Sequence, residues 1–282
     1  MTSRVVVLGA TGFVGGAIAR HAEQLGETVI ILNRATVDLC SPRASELLEE
    51  HLRTDDRLVF AAAEAPCKTL ESLEKNLAMV MTVIRAVSHV RVSYVMNISS
   101  DAVYLDSLEP LTETSPTGPS NLHGAMHCAR EALLNSLEVP LLHLRPTLIY
   151  GKGDPHNGYG PNQFLSRARG GGEIQIFGRG EERRDHVYIA DVEAVAVRCL
   201  SNRTVGALNV ASGEVVSFRE IAEHVVDLFA GRVRIAERAR SGPMPHGGYR
   251  PISIARLTAE FSDFVPIGVK VGLAQELGKH GA

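Results

Sequence analysis

Two rhythms of apolar residues alternate along the first half of the chain. Short runs with no polar alternation occur in "RVVVL" (4–8), "TVIIL" (28–32), "RLVF" (57–60), "SYVMNI" (93–98) and "LLHLRP" (141–146). Runs of this length, rich in β-branched residues, are expected of parallel strands covered on both faces. Between them apolar residues recur at helical spacing, in "FVGGAIARHAEQLG" (13–26), "SPRASELLEEHL" (41–52) and the long amphipathic "LESLEKNLAMVMTVIRAV" (70–87). The Ser-Pro pair marks the start of the second helix. A proline- and serine-rich loop covers 105–120, and a further helix follows in "NLHGAMHCARE" (121–131). Strands alternating with helices predict right-handed βαβ units, and so an α/β fold with a doubly wound parallel sheet.

Beyond Tyr150 the pattern loosens. "GKGDPHNGYGPNQ" (151–163) is a Gly/Pro/Asn loop, and "EIQIFGRGEERRDHVYI" (173–189) reads as short strands and turns. "ADVEAVAVRCL" (190–200) and "FREIAEHVVDLF" (218–229) read as helices. The expected organisation is a Rossmann-type α/β domain over 1–151, to which 186–211 returns, and a smaller irregular region over 152–282. Ligands of open α/β sheets bind at the carboxyl ends of the strands, so the second region is expected there.

Composition narrows the functions open to such a fold. With 45% apolar and 22% charged residues among 282, a well-packed core is available. The net charge is −3 with no basic block, which argues against nucleic acid as a partner. No apolar run reaches the roughly eighteen residues of a membrane span, and "MTSRVVVLGATG" enters a strand with no signal-peptide layout. The four cysteines, Cys40, Cys67, Cys128 and Cys199, are scattered, as expected of reduced thiols in a cytoplasmic protein.

The first strand runs into Gly9-Ala-Thr11-Gly12-Phe13-Val14-Gly15 and then a helix. Gly9 permits a tight turn, Gly12 lets backbone N–H groups approach a pyrophosphate, and Gly15 allows close helix–strand packing. The helix N-terminus then faces the phosphates. In this strand–turn–helix context the glycines point to a bound dinucleotide. The second strand ends "LNR" with no acidic residue for a ribose diol. Asn33 and Arg34 offer a donor and a cation, which suits a 2′-phosphate and favours NADP over NAD. Asp38 is then placed to contact the adenine.

The spacing GxxGxxG, together with the segments after it, resembles the extended short-chain dehydrogenase/reductase family. More narrowly it is similar to the NAD-dependent epimerase/dehydratase branch that modifies nucleotide sugars. "FAAA" matches the strand end beside the cofactor and implies contacts from Ala61, Ala62 and Ala63. "EKN" supplies Asn76, and "LRPTLIYG" brings Pro146 to the nicotinamide strand. "ISSDAVY" places the catalytic hydroxyl on Ser100. "FGRGEERRDHVYIADV" matches the G-x-G…RDxxHVxD stretch. The resemblance also implies a homodimer formed through the 70–87 helix and the 121–131 helix, with Met79, Met81, Ile84, Ala129, Leu133 and Leu134 as apolar candidates.

The departures bear on chemistry. The family's Y-x-x-x-K falls on His123 and His127, followed by the matching Glu131. Asp101-Ala102 stands where dehydratases carry Asp-Glu, Leu148 replaces an asparagine of many relatives, and the chain is short for the branch. A phenol near pKa 10 needs a neighbouring cation to work at neutral pH, whereas imidazole near 6.5 does not, so the two replacements are chemically consistent. His123 is expected as the acid/base. His127, on the same helix face at i+4, is expected to hold the ribose and to tune His123 as a protonated, coupled neighbour. Two packed, catalytically silent histidines are the other reading. An HxxxH metal pair is not expected, since no HExxH glutamate is present and Cys128 points to another face.

On the substrate side the resemblance assigns Arg184 to a diphosphate, a bidentate task suited to guanidinium, with Asp101, Asn162 and Arg250 completing the pocket. The expectation is an NAD(P)-dependent epimerase/dehydratase-type enzyme acting on a nucleotide-linked sugar by transient oxidation or reduction. The alternatives are a silent nucleotide-binding protein on the same fold, or a reductase of a free sugar or small carbonyl compound.

Overall fold

The computed structural model describes residues 3–278. Its elements run β1 (Val5–Leu8), α1 (Phe13–Gln24), β2 (Val29–Leu32), α2 (Ala44–His51), β3 (Arg57–Phe60), α3 (Leu70–Val90), β4 (Tyr94–Ile98), α4 (Leu122–Leu134) and β5 (Leu141–Pro146). There follow β6 (Leu148–Tyr150), α5 (Pro161–Arg169), β7 (Ile174–Phe177), β8 (Arg183–Tyr188), α6 (Ile189–Asn202), β9 (Gly206–Val210), β10 (Val215–Ser217) and α7 (Phe218–Leu228). The last are β11 (Ile235–Arg238), β12 (Tyr249–Arg250), α8 (Ala255–Glu260) and α9 (Val269–Gly278). The Ser-Pro pair does not open α2. Ala44 N–H donates to the Ser41 carbonyl, closing a turn over Pro42, and the helix starts one step later.

The chain forms two compact units. The first comprises 1–105, 115–146 and 192–208. It holds a six-stranded sheet in the order β2-β1-β3-β4-β5-β9. The pairings of β1 with β2 and β3, of β3 with β4 and of β4 with β5 are all parallel. Every residue of β1, β3 and β4 is buried, as their unalternating composition requires. The chain leaves β1 for one neighbour and returns on its other side as β3. The order therefore reverses there, and a crevice opens beyond the carboxyl ends of these two strands.

Helix α3 starts at a capping box in which Thr69 and Ser72 satisfy one another's backbone N–H groups. It packs Val80, Val83, Ala86 and Val87 into the core beside Leu8, Leu58 and Phe60. Leu134, expected at a subunit face, is fully buried in that same core, because it falls on the sheet-facing side of α4. Met79, Ile84 and Leu133 pack against the same cluster, whereas Met81 is exposed.

The second unit comprises 106–114, 147–191 and 209–282. It takes the middle of the proline-rich loop, where the Leu111 and Asn209 backbones are tied to Pro251, Ser253 and Glu113. Its β8 pairs with β6, β10 and β12. A separate parallel pair joins β7 to β11. Tyr159, Phe164, Phe177 and Phe218 form an aromatic cluster in this unit. No helix of the described residues is long and apolar enough to cross a membrane.

Candidate functional site

At the end of β1 the backbone turns at Gly9, whose φ is +88°, a conformation open to glycine at no steric cost. A Cβ there would stand 2.6 Å from the Ala62 nitrogen, so the β1 turn and the β3 end can meet this closely only without a side chain. Gly12 is the N-cap of α1, with no side-chain cap and no acidic residue in the first turn. The first N–H groups of α1 are therefore left without an internal partner where the turn opens, which suits an anion. Beside this turn lies a cavity of about 340 Å³. Gly9, Thr11, Gly12, Asn33, Arg34, Asp38, Ala61, Ala62 and Ala63 line it, joined by Leu32, Cys40, Lys75 and Met79. Phe13, Val14 and Gly15 form the first turn of α1 and are not among its lining residues.

The residues after β2 build the outer wall. Asn33 Oδ1 accepts from the N–H groups of Ala35 and Thr36 at 2.8 and 3.1 Å, so its carbonyl is committed to the turn and its amide is the donor left to a ligand. Arg34 is 86% exposed, with its guanidinium 3.5 Å from Asp38. Lys75 lies 2.7 Å from Glu71 and 3.5 Å from Glu64. Asn76 is expected to touch the cofactor, but its side chain is fully buried. It accepts from Glu64 N–H and donates to the Glu64 and Ser72 carbonyls. Its place is beneath the 61–64 segment, which it holds in position. Pro146, at the end of β5, is buried and does not line the cavity.

Helix α4 is capped by Asn121, whose carbonyl accepts from Gly124 N–H at 3.0 Å. A Cβ at Gly124 would sit 2.2 Å from the Ala102 carbonyl. The first turn of α4 is thereby seated against the short turn that follows Ser100, next to His123. Ser100 caps that turn, accepting from Ala102 N–H at 3.1 Å, and Asp101 is buried beside it. His123 Nδ1 accepts from the Cys67 backbone N–H at 3.4 Å.

His127 lies on the buried stripe of α4 that also carries Arg130, Glu131 and Leu134. Its Nδ1 has no hydrogen-bond partner. Burial, then the positive charge of Arg130, then His123, hold its pKa well below 6.5. The expected protonated partner for His123 is therefore a neutral ring. The cation of this stripe is Arg130, which donates to the Ala62 carbonyl and to Asn97 Oδ1 at 2.9 Å each, and stacks 4.0 Å over the Phe60 ring. Burial pulls its pKa down to about 9, and no carboxylate among the described residues pairs with it. Glu131 is spoken for: burial would raise its pKa, but Arg145 at 2.5 and 2.9 Å and Ser99 at 2.6 Å hold it below the usual range.

The second unit gathers other candidates. Register places Arg184 of β8 opposite Arg250 of β12. Arg184 lies 3.5 Å from Glu182. Arg250 donates to Asp106 at 2.5 Å, and the same carboxylate oxygen meets His246 Nδ1. Asn162 accepts from Gly151 N–H and donates to Asp154 Oδ2, so both ends of its amide fasten the 151–154 loop rather than standing open to a substrate. Among the described residues no group of three or more His, Cys, Asp or Glu side chains is placed to hold a metal.

Residues 5–211 match the sequence profile of the NAD dependent epimerase/dehydratase family. The chain belongs to that family. It is similar to a dTDP-4-dehydro-6-deoxy-D-allose reductase of Streptomyces bikiniensis, 26% identical over 96% of this chain and 94% of the reductase. It is also similar to a UDP-glucose 4-epimerase of Mycolicibacterium smegmatis, 27% identical over 77% of this chain and 80% of that protein. The structure superposes on a Thermus thermophilus UDP-glucose 4-epimerase in complex with NAD with a TM-score of 0.82 and 22% identity, covering 98% of each chain.

Within this family member, sequence reasoning passed over two groups that matter locally, Arg130 and the Cys67 amide. Arg130 carried a signal, a charged residue three positions past His127 on the face of an amphipathic helix that packs on the sheet. The Cys67 amide carried none, since a backbone group has no sequence signature.

Proposed function

We propose that the chain is an NAD(P)-dependent enzyme acting on a nucleotide-linked sugar, with chemistry at a sugar carbon that passes between hydroxyl and carbonyl. The observation that carries this reading is the Gly9–Gly12 turn, which opens α1's uncapped N–H groups beside a cavity of about 340 Å³. These groups would hold a pyrophosphate, with the adenosine half between Asn33, Asp38 and the 61–63 segment. The lack of an acid at the end of β2 and the presence of Arg34 support NADP. When bound, the nicotinamide supplies hydride exchange with the sugar carbon. Ser100 and His123 are assigned to the reacting oxygen, and the Arg184–Arg250 pair to the diphosphate, a pairing suited to guanidinium.

Membership of the family and the full-length match to a dTDP-sugar reductase support a nucleotide sugar over a free sugar. The test is to purify the protein, identify any dinucleotide that co-purifies and its redox state, and then follow nicotinamide absorbance with dTDP- and UDP-linked 4-keto and 4-hydroxy sugars. Turnover confined to nucleotide-linked compounds supports the reading. Turnover of free sugars alone, or no dinucleotide binding, defeats it. A cytoplasmic homodimer is part of the same proposal, with the exposed Met81 of α3 at the contact. A monomer by light scattering at micromolar concentration counts against the dimer.

A further inference from the structure

Two side chains hold the backbone that follows β3, and they differ in charge. Asn76 accepts from Glu64 N–H and donates to the Glu64 carbonyl. Two residues earlier, Arg130 donates to the Ala62 carbonyl at 2.9 Å and reaches the Phe60 carbonyl at 3.4 Å, while Asn97 Oδ1 steadies it at 2.9 Å. Asn76 shows that a neutral amide suffices as a clamp here. Arg130 is nonetheless a guanidinium, fully buried, and its hydrogen bonds go to two carbonyls and an amide oxygen rather than to a carboxylate. An unpaired buried charge is costly. A ligand that brings negative charge to the far side of the clamped peptide would offset that cost.

The other end of that peptide belongs to the cavity. The Ala62–Ala63 bond is trans, and in a planar trans peptide the C=O and N–H point in opposite directions. With the Ala62 carbonyl turned toward Arg130, the Ala63 N–H points away from it, on a segment whose Ala61, Ala62 and Ala63 line the cavity beside the glycine turn. That N–H is unspent. Ala61 N–H donates to the Leu8 carbonyl and Glu64 N–H to Asn76, but Ala63 is exposed and its N–H has no acceptor among the described residues. The Gly9 turn packs against the same backbone, where an added Cβ would stand 2.6 Å from the Ala62 nitrogen. The donor therefore sits on a peptide that the core holds in place.

We propose that Arg130 is a positioning residue of the dinucleotide site: its buried charge fixes and polarises the Ala62–Ala63 peptide, so that Ala63 N–H is a strengthened donor to an oxygen of the bound dinucleotide. Arg130 itself does not line the cavity and acts through the peptide. A hydrogen bond at one end of a peptide strengthens the group at its other end, and the low dielectric around a buried charge preserves the effect. The negative charge of the dinucleotide supplies the partner that the guanidinium lacks. This rests on the dinucleotide reading above and adds to it a residue of α4.

Amide spectra and binding together test this. ¹H–¹⁵N spectra of ¹⁵N-alanine-labelled protein, with the Ala63 signal assigned by its loss in Ala63→Ser, are followed as NADP or NAD is added to saturation. In wild type the Ala63 amide proton is expected to move downfield. In the free protein it is expected to lie upfield of wild type in Arg130→Gln and Arg130→Met, where the charge on the Ala62 carbonyl is gone. Dinucleotide affinity is titrated by fluorescence at a temperature where circular dichroism shows each variant folded. It is expected to fall by about 10–100-fold in both variants, the worth of a hydrogen bond to a charged group. Wild-type affinity in either folded variant, or an Ala63 amide indifferent to saturating dinucleotide, overturns the proposal and leaves the cofactor site standing. A loss of affinity with the Ala63 proton unmoved in the free variants reduces Arg130 to packing and overturns it too. Should neither variant fold, the wild-type titration decides alone. A wild-type protein that binds neither dinucleotide defeats the function proposed above and this proposal with it.

Discussion

The ring of His127 meets that of His123 edge to face, with planes at 87° and centroids 4.7 Å apart. One ring bonds to a backbone amide, and the other is buried with an unpaired Nδ1. Position 127 thus holds a neutral group, and the buried cation comes from Arg130, one turn further along the same stripe.

This exchange predicts a coupled pair. His127→Leu removes an unpaired buried nitrogen and should leave stability unchanged or raise it by up to about 1 kcal/mol. His127→Lys puts a second cation beside Arg130 in a buried stripe and should cost about 2 kcal/mol or more. His127→Lys with Arg130→Leu should recover part of that loss. Urea denaturation of wild type, His127→Lys, Arg130→Leu and the variant carrying both closes a double-mutant cycle. Strict additivity would show that the two positions do not compete for one charge.

The glycine turn separates folding from binding. At Gly12 an added Cβ meets only the Gly9 carbonyl at 3.2 Å, at a φ of −82° that valine adopts readily. At Gly15 the Cβ would lie 2.5 Å from that same oxygen. Gly12→Val should therefore keep a wild-type melting curve and lose at least about 100-fold in dinucleotide affinity, as its side chain enters the pyrophosphate position. Gly15→Val should lose about 3 kcal/mol of stability by overpacking. Calorimetry and fluorescence titration on both variants decide this, and unchanged affinity in Gly12→Val would remove the site.

The outer wall of the cavity predicts cofactor choice. Arg34 is 86% exposed and, among the described residues, lies 3.5 Å from Asp38, so little internal structure depends on it. Arg34→Ala should weaken NADP by about 10-fold or more and NAD hardly at all, with stability within about 0.5 kcal/mol of wild type. Cys40 lines the same cavity and is exposed, so saturating cofactor should slow its alkylation. Equal losses for the two dinucleotides would withdraw the case for NADP, and equal alkylation rates would withdraw the assigned seat of the adenosine.

The parallel sheet and the glycine turn were legible because each rests on local pattern: unalternating β-branched runs for β1 to β4, and small residues between a strand and a helix. The second unit was less so. Its β12 is two residues long, too short for a period to register, and β11 reads IAER, half of it charged and exposed, with no apolar run to mark a strand. The site was legible by residue type but not by environment. Spacing placed His123 and His127 on one helix face, yet gave no sign that one ring meets a backbone amide while the other is sealed beside a guanidinium. Asn76 and Asn162 show the same limit. Their amides look like ligand donors in sequence and are spent on backbone groups and Asp154 in the fold.

Buried histidines make the fold sensitive to acid. His186 is fully enclosed, neither ring nitrogen has a partner, and burial with the neighbouring Arg184 pulls its pKa to about 3. His127 and His143 are lowered too, in both cases mainly by burial. A group whose folded pKa lies below its unfolded value of about 6.5 binds its proton more weakly when folded. Its contribution to stability is therefore complete above about pH 6.5 and is lost progressively as pH falls from there toward the folded value. For His186 at pH 5 this amounts to up to about 2 kcal/mol, at 1.36 kcal/mol per pH unit. Asp191 works in the other direction. Burial raises it to about 6, so protonation in acid relieves a buried charge and offsets part of the loss. The expected result is a melting temperature that is flat above pH 7 and falls between pH 6.5 and 5. His186→Phe, which packs a ring of similar size against Phe218, should be at least as stable as wild type at pH 7.5 and show a shallower acid limb. A limb of unchanged slope in that variant would move the acid sensitivity away from His186.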